Sequence, residues 1–144
     1  MRRVIILIVL AVAVYGFIQT KGFFVFDRSA TNHGSEQLLE NAFENRKSNL
    51  QVEGKGEVIK ILPDDLKGSR HQRFIIRLNS GQTLLISHNI DLAPKISQLR
   101  KGDFVSFFGE YEWSHKGGVI HWTHHDPAGR HIGGWLKHQG KKYQ

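Results

Sequence analysis

The chain has 144 residues, 40% hydrophobic and 23% charged, with fifteen Gly, three Pro and no Cys. That length suits one domain, and the composition excludes collagen-like, disulfide-stapled and wholly disordered chains, while the lack of Cys excludes thiol catalysis, Cys-bound zinc and iron–sulfur clusters. The formal charge is +7, and nine His can add to it below neutral pH.

The chain opens as a targeting segment. Arg2 and Arg3 precede an apolar run over residues 4–18, and apolar character resumes at Gly22-Phe23-Phe24-Val25-Phe26. No small-residue cleavage site follows the run, and residues 4–26 would span about 35 Å as helix, enough to cross a bilayer. The positive flank keeps the N-terminus cytoplasmic. Residues 1–28 are therefore expected to be a signal anchor or, failing that, a cleaved signal peptide. The expected location is the inner membrane, single-pass with the C-terminal body in the periplasm, or the soluble periplasm if the segment is removed. Beyond residue 28, sixteen Lys and Arg against twelve Asp and Glu leave a body of only +4. Whole-chain basicity is thus no argument for nucleic acid.

Residues 29–34 read as a polar linker. A short amphipathic helix is expected over 36–48, with Ser35 as N-cap and Leu38, Leu39, Ala42 and Phe43 at helical spacing. Its narrow apolar stripe suits a lid or plug on the domain that follows.

From Gln51 the apolar period changes to two. A strand over 51–62 carries Gly54 and Gly56, where a bend or bulge is expected. Strands follow at 73–78 and 82–90, joined by Asn79-Ser80-Gly81. Leu92, Ile96 and Leu99 recur at helical spacing behind Pro94, which predicts a helix over 91–99. Strands over 104–113 and 118–123 flank a turn at Ser114-His115-Lys116-Gly117, and a small hairpin turning at Gln139-Gly140 closes the chain. Three strands, a helix and two strands, with a bent first strand, predict an all-β fold with minor α, a five-stranded OB-fold-like Greek-key barrel over 51–144. An SH3-like barrel would leave the helix after strand three unexplained. Phe74, Ile76, Leu78, Leu85, Phe104 and Val119 are expected inside, with Arg73 and Arg77 wet.

The segments QVEGKGEVIKILPDDLKGSRHQRFIIRL, GQTLLISHNIDLAPKI, GDFVSFFGEYEW and GGVIHWTHHDPAGRHIGGWLKHQGKKYQ resemble a bacterial family called domain of unknown function 3465. The likeness covers roughly residues 50–144 and is most specific at HWTHHDPAGRH. It implies a small exported bacterial protein and no particular reaction.

Chemistry concentrates in residues 121–131, where His121, His124, His125 and His131 accompany Asp126 and Arg130. His124, His125, Asp126 and His131 are candidate ligands for a divalent metal, and Arg130 offers a donor fork for phosphate or carboxylate. His124, His125 and His131 are equally candidate acid–base groups for phosphodiester or glycosidic cleavage. They converge only if the strand ends near Thr123 and Asp126-Pro127 starts a turn. Asp126 would then orient one imidazole, and His124, His125, Arg130 and His131 would line one concave site. The plain structural alternative is that Asp126 caps its own turn and His121 is half-buried in the barrel wall.

A second set, Arg70, His71 and Arg73, lies where OB-folds take ligands, and Trp122 offers a stacking platform. Two readings follow. One is a membrane-tethered or periplasmic binding module for an anionic or sugar-containing ligand: an anionic polymer, nucleic acid or glycan. The other is a small His-based phosphodiesterase or nuclease, with or without a metal, using the HHDPAGRH turn. The residues imply membrane contact through the N-terminal helix and identify no partner protein.

Overall fold

A computed structural model describes residues 28–144. The anchor or signal segment lies outside the described residues except for Arg28. Among the described residues no helix is long and apolar enough to cross a membrane.

The helix α1 (Arg28–Glu44) starts earlier than expected and takes up residues 29–34, which were expected to form a linker; no Pro interrupts that stretch. It ends at Glu44 rather than at 48. Arg46 turns left-handed at φ 50°, its N–H bonds the Phe43 carbonyl, and the Lys47 N–H bonds that of Ala42. This paired closure satisfies the last carbonyls of the helix. Leu39 and Ala42 are fully buried in the core, so α1 plugs the barrel. Glu36 serves the fold as well: its carboxylate accepts the N–H groups of Asn79 (3.3 Å) and Ser80 (2.9 Å).

Seven strands follow: β1 (Leu50–Ile61), β2 (His71–Arg77), β3 (Thr83–Asn89), β4 (Phe104–Glu112), β5 (Val119–His121), β6 (Trp135–His138) and β7 (Lys141–Tyr143). The order β1-β2-β3-β5-β4 returns to β1 through a β1–β4 pairing, closing a five-stranded barrel in which β3 and β5 run parallel. Closure needs a long, bent β1, which pairs with β4 over residues 50–57 and with β2 over 57–61. The bulge falls between Val58 and Lys60 rather than at the glycines. Gly54 instead makes room for a neighbour: a Cβ there would stand 2.6 Å from the Phe107 ring.

Phe74, Ile76 and Leu78 point inward as expected, Arg77 is exposed and Arg73 half-buried on the outer face. Leu85, Phe104 and Val119 do not point inward. Their neighbours Leu84, Ile86, Val105 and Ile120 fill the core, and Phe104 is exposed. In each of these stretches two apolar residues adjoin, so alternation alone cannot choose the inner one. The fit of Phe107 over Gly54 puts odd-numbered β4 residues inside, which turns Phe104 out.

The helix over 91–99 is absent; these residues form turns. Side chains take the backbone groups a helix would use. Gln72 bonds both the N–H and the carbonyl of Ile96 at 2.9 Å, and the Pro94 carbonyl accepts from His88 Nε2 at 3.1 Å. Ala93 and Ile96 are still buried, so the apolar spacing marked a packed loop.

β5 and β6 lie along the same edge of β4. His121 pairs with Glu110 and Trp135 with Phe108, so the chain leaves and rejoins β4 only two positions apart. Residues 122–134 between them form an Ω-like excursion whose ends nearly meet. Two glycines permit this. A Cβ at Gly134 would stand 2.1 Å from the Trp122 carbonyl, and one at Gly109 would stand 2.5 Å from that of His121.

Candidate functional site

The excursion begins with Trp122, which adopts φ 55°, a left-handed conformation uncommon for an aromatic residue. This reversal ends β5 after His121 and sends the next side chains off the strand. Thr123 turns inward and is fully buried, its hydroxyl 2.8 Å from Nδ1 of the equally buried His88. His124 is buried, with Nδ1 donating to the His125 carbonyl at 2.8 Å.

Asp126 organises the rest. The residue is buried, and its carboxylate accepts the N–H groups of Ala128 (3.0 Å), Arg130 (2.8 Å) and His131 (2.9 Å). These bonds to Ala128, His131 and Arg130 hold its carboxyl below the usual carboxylate range. Asp126 therefore caps its own turn and orients no imidazole, because backbone amides take its oxygens.

The carboxylate that engages an imidazole is Glu110 on β4. His131 Nε2 donates to Glu110 Oε2 at 2.5 Å, while His131 Nδ1 donates to the Ile132 carbonyl at 2.8 Å. Burial opposes the charge on His131, but these bonds and the charges of Glu110 and Asp126 outweigh it and raise its pKa above the ordinary value. The His131 ring stacks on Trp122 with centroids 4.0 Å apart and planes 8° from parallel. The His124 ring also meets Trp122, tilted, at 5.3 Å. His121 Nε2 stands 3.5 Å from Glu110 Oε1 and 3.4 Å from Glu112 Oε2, buried and closing no hydrogen bond.

A cleft of about 250 Å³ opens on the outer face of β2, β3 and β5. His71 comes from β2, Ser87 and Asn89 from β3, His121 from β5, and Trp122, His124 and Asp126 from the excursion; Ser69 and Leu92 complete the rim. The expected site residues thus separate into groups. His71, Trp122, His124 and Asp126 share the cleft, and His131 supports it against Trp122. His125 and Arg130 are exposed and do not line it. Arg70 is tied to Asp91 by its side chain (2.6 Å) and its backbone N–H (2.7 Å), which hold the Asp91 carboxyl below its usual range. Arg73 donates Nε to the Pro63 carbonyl at 3.1 Å and pairs across the sheet with Ser87. Among the described residues no three His, Asp or Glu side chains are grouped to hold a metal; of the four candidate ligands His124 and Asp126 reach the cleft, His125 is exposed and His131 is bound to Glu110. Ser87, Asn89 and Glu110 were not singled out in advance. Strand alternation points all three outward, and for Glu110 the inward Gly109 and Tyr111 on either side give that signal.

A hollow of about 390 Å³ at the other end lies between α1 and the turns at Gly81 and Gly117. His115 and Lys116 line it, so they stand apart from the His-rich cleft.

The molecule is a closed five-stranded barrel bearing a His-rich excursion beside an outer-face cleft. Its residues 23–144 match the family described as protein of unknown function DUF3465, and the chain belongs to that family. The match takes in α1 as well as the barrel, beyond the residues that carried the resemblance. A search of curated proteins finds no match to the chain.

Proposed function

We propose that this protein is an OB-fold-like binding module, membrane-tethered or periplasmic, that takes a sugar-containing ligand, neutral or anionic, across the outer face of β2, β3 and β5. The observation that supports this is the cleft itself, built by those three strands and the excursion, on the face where Greek-key barrels of this kind receive ligands. His71 and His124 each direct Nδ1 at a backbone carbonyl, of Ser69 and His125 respectively. In the neutral ring that leaves Nε2 as an acceptor, suited to a hydroxyl donor. Ser87 and Asn89 add groups that both donate and accept. No Lys or Arg lines the cleft, which favours hydroxyls at its centre. Arg73, beside Ser87, is placed to meet an anionic substituent at the edge.

The hydrolase reading is not carried further. It needs a carboxylate-oriented imidazole in the cleft. The cleft imidazole His121 stands 3.5 Å from Glu110 Oε1 and 3.4 Å from Glu112 Oε2 without closing a hydrogen bond, Asp126 bonds backbone amides, and the His131–Glu110 pair does not line the cleft.

The test is a binding screen of the full chain against neutral oligosaccharides, uronic-acid oligosaccharides and single-stranded oligonucleotides, read by amide chemical shifts. Saccharide-induced shifts centred on His71, Ser87, Asn89 and His124 support the reading. Shifts from oligonucleotides alone, or from no probe, sink it.

A further inference from the structure

We propose that His131, held by Glu110, is a positioning residue that fixes the Trp122 indole as a wall of the cleft. The inference rests on the cleft being the ligand site.

Trp122 leaves the strand ladder at a left-handed residue. Its ring lies against two imidazoles. The close contact is His131, parallel at 4.0 Å, while His124 meets it at a tilt. The His131 ring is fixed at both nitrogens by acceptors, the Glu110 carboxylate and the Ile132 carbonyl. Two acceptors require two ring protons, so the bound form is the imidazolium. A planar cation on an indole face adds charge–quadrupole attraction to the stack. Glu110 is anchored in β4, paired with Gln51 of β1 and His121 of β5. A rigid barrel wall thus sets the place of a loop side chain through His131. The charged and titratable groups around His131 are Glu110 and Glu112 on β4, His121 on β5, and His124, Asp126 and Arg130 in the excursion.

Loss of the proton on His131 leaves one of the two acceptors unmatched and frees the ring. Trp122 should therefore report the protonation of His131, which simple packing would not produce.

The experiment follows the three indole N–H signals of the full chain by nitrogen–proton correlation, with Trp122→Phe assigning one of them. The Trp122 signal is expected to move with pH, with a midpoint above the ordinary imidazole value of 6.5. Glu110→Gln should lower that midpoint, because the carboxylate's hydrogen bond and charge favour the protonated ring. His131→Phe, which keeps an aromatic stack, should abolish the movement, and His124→Gln should leave it in place. His131→Ala should weaken binding of an oligosaccharide found in the screen by about five- to tenfold. A Trp122 signal that is flat with pH in the unaltered protein, or whose movement survives His131→Phe, overturns the proposal. Titration as expected with no saccharide bound upholds the positioning role and overturns the function proposed above.

Discussion

The buried imidazole of His88 joins Thr123 to Pro94: Nδ1 accepts from the Thr123 hydroxyl at 2.8 Å, and Nε2 donates to the Pro94 carbonyl at 3.1 Å. One neutral ring thus links β3, the loop before β4 and the start of the His-rich excursion. Burial, together with the charges of His124 and His71, outweighs these bonds and lowers the His88 pKa from 6.5 to about 4.

Acid should loosen this linkage. Because the folded pKa lies below the unfolded one, the unfolded chain binds the proton first, and stability falls as pH drops from about 6.5 towards 4. The expected loss between pH 7 and pH 5 is about 2 kcal/mol. Urea unfolding at the two pH values measures it. His88→Gln should be less stable at pH 7 and show a smaller difference between them; an equal difference would show that His88 is not the titrating group.

Asp126→Ala should open the excursion and spare the barrel. Three N–H groups, of Ala128, Arg130 and His131, lose their acceptor. Hydrogen exchange should show lost protection at those three amides, with β1 and β4 unchanged. The same amides should lose protection in the unaltered protein only below the ordinary Asp value of 3.8, because the carboxyl is held in its charged form.

Gly134→Ala tests how the excursion closes. The added Cβ would meet the backbone carbonyls of Trp122 and Phe108 at 2.1 and 2.3 Å, neither of which can swing away. A loss of about 2–3 kcal/mol is expected. Gly140→Ala meets nothing within 4 Å, but its φ of 80° makes the change strained, so a smaller loss is expected there. Comparable losses at both sites would argue against the close approach.

The N-terminal segment is expected to stay attached and to hold the body outside the inner membrane. Membrane fractionation with N-terminal sequencing of the mature protein checks this. A mature chain that begins beyond residue 18 would leave a soluble periplasmic protein.

Strand spacing, the turn at Asn79-Ser80-Gly81 and the final hairpin were legible because each follows from residues close in sequence. Gln139 and Gly140, both at positive φ, make the tight reversal, a conformation that Gly140 adopts freely. The plugging of the barrel by Leu39 and Ala42 was legible from helical spacing in the same way. The candidate site was legible only as a concentration of His, Asp and Arg. Its partners are set by register: Glu110 meets His131 because β5 and β6 share one edge of β4 and fold the intervening chain back over it.

By itself, then, the amino-acid sequence determined the period-two strands, the plugging helix, the family and the stretch where chemistry gathers, since local spacing and residue type are enough for these. Tertiary structure alone decided the inward residue of each adjacent apolar pair, the replacement of the 91–99 helix by a packed loop, and the capping role of Asp126. In all three, a partner distant in sequence or a competing backbone group outweighs the local preference: Gly54 beneath Phe107, Gln72 on Ile96, and three amides on one carboxylate.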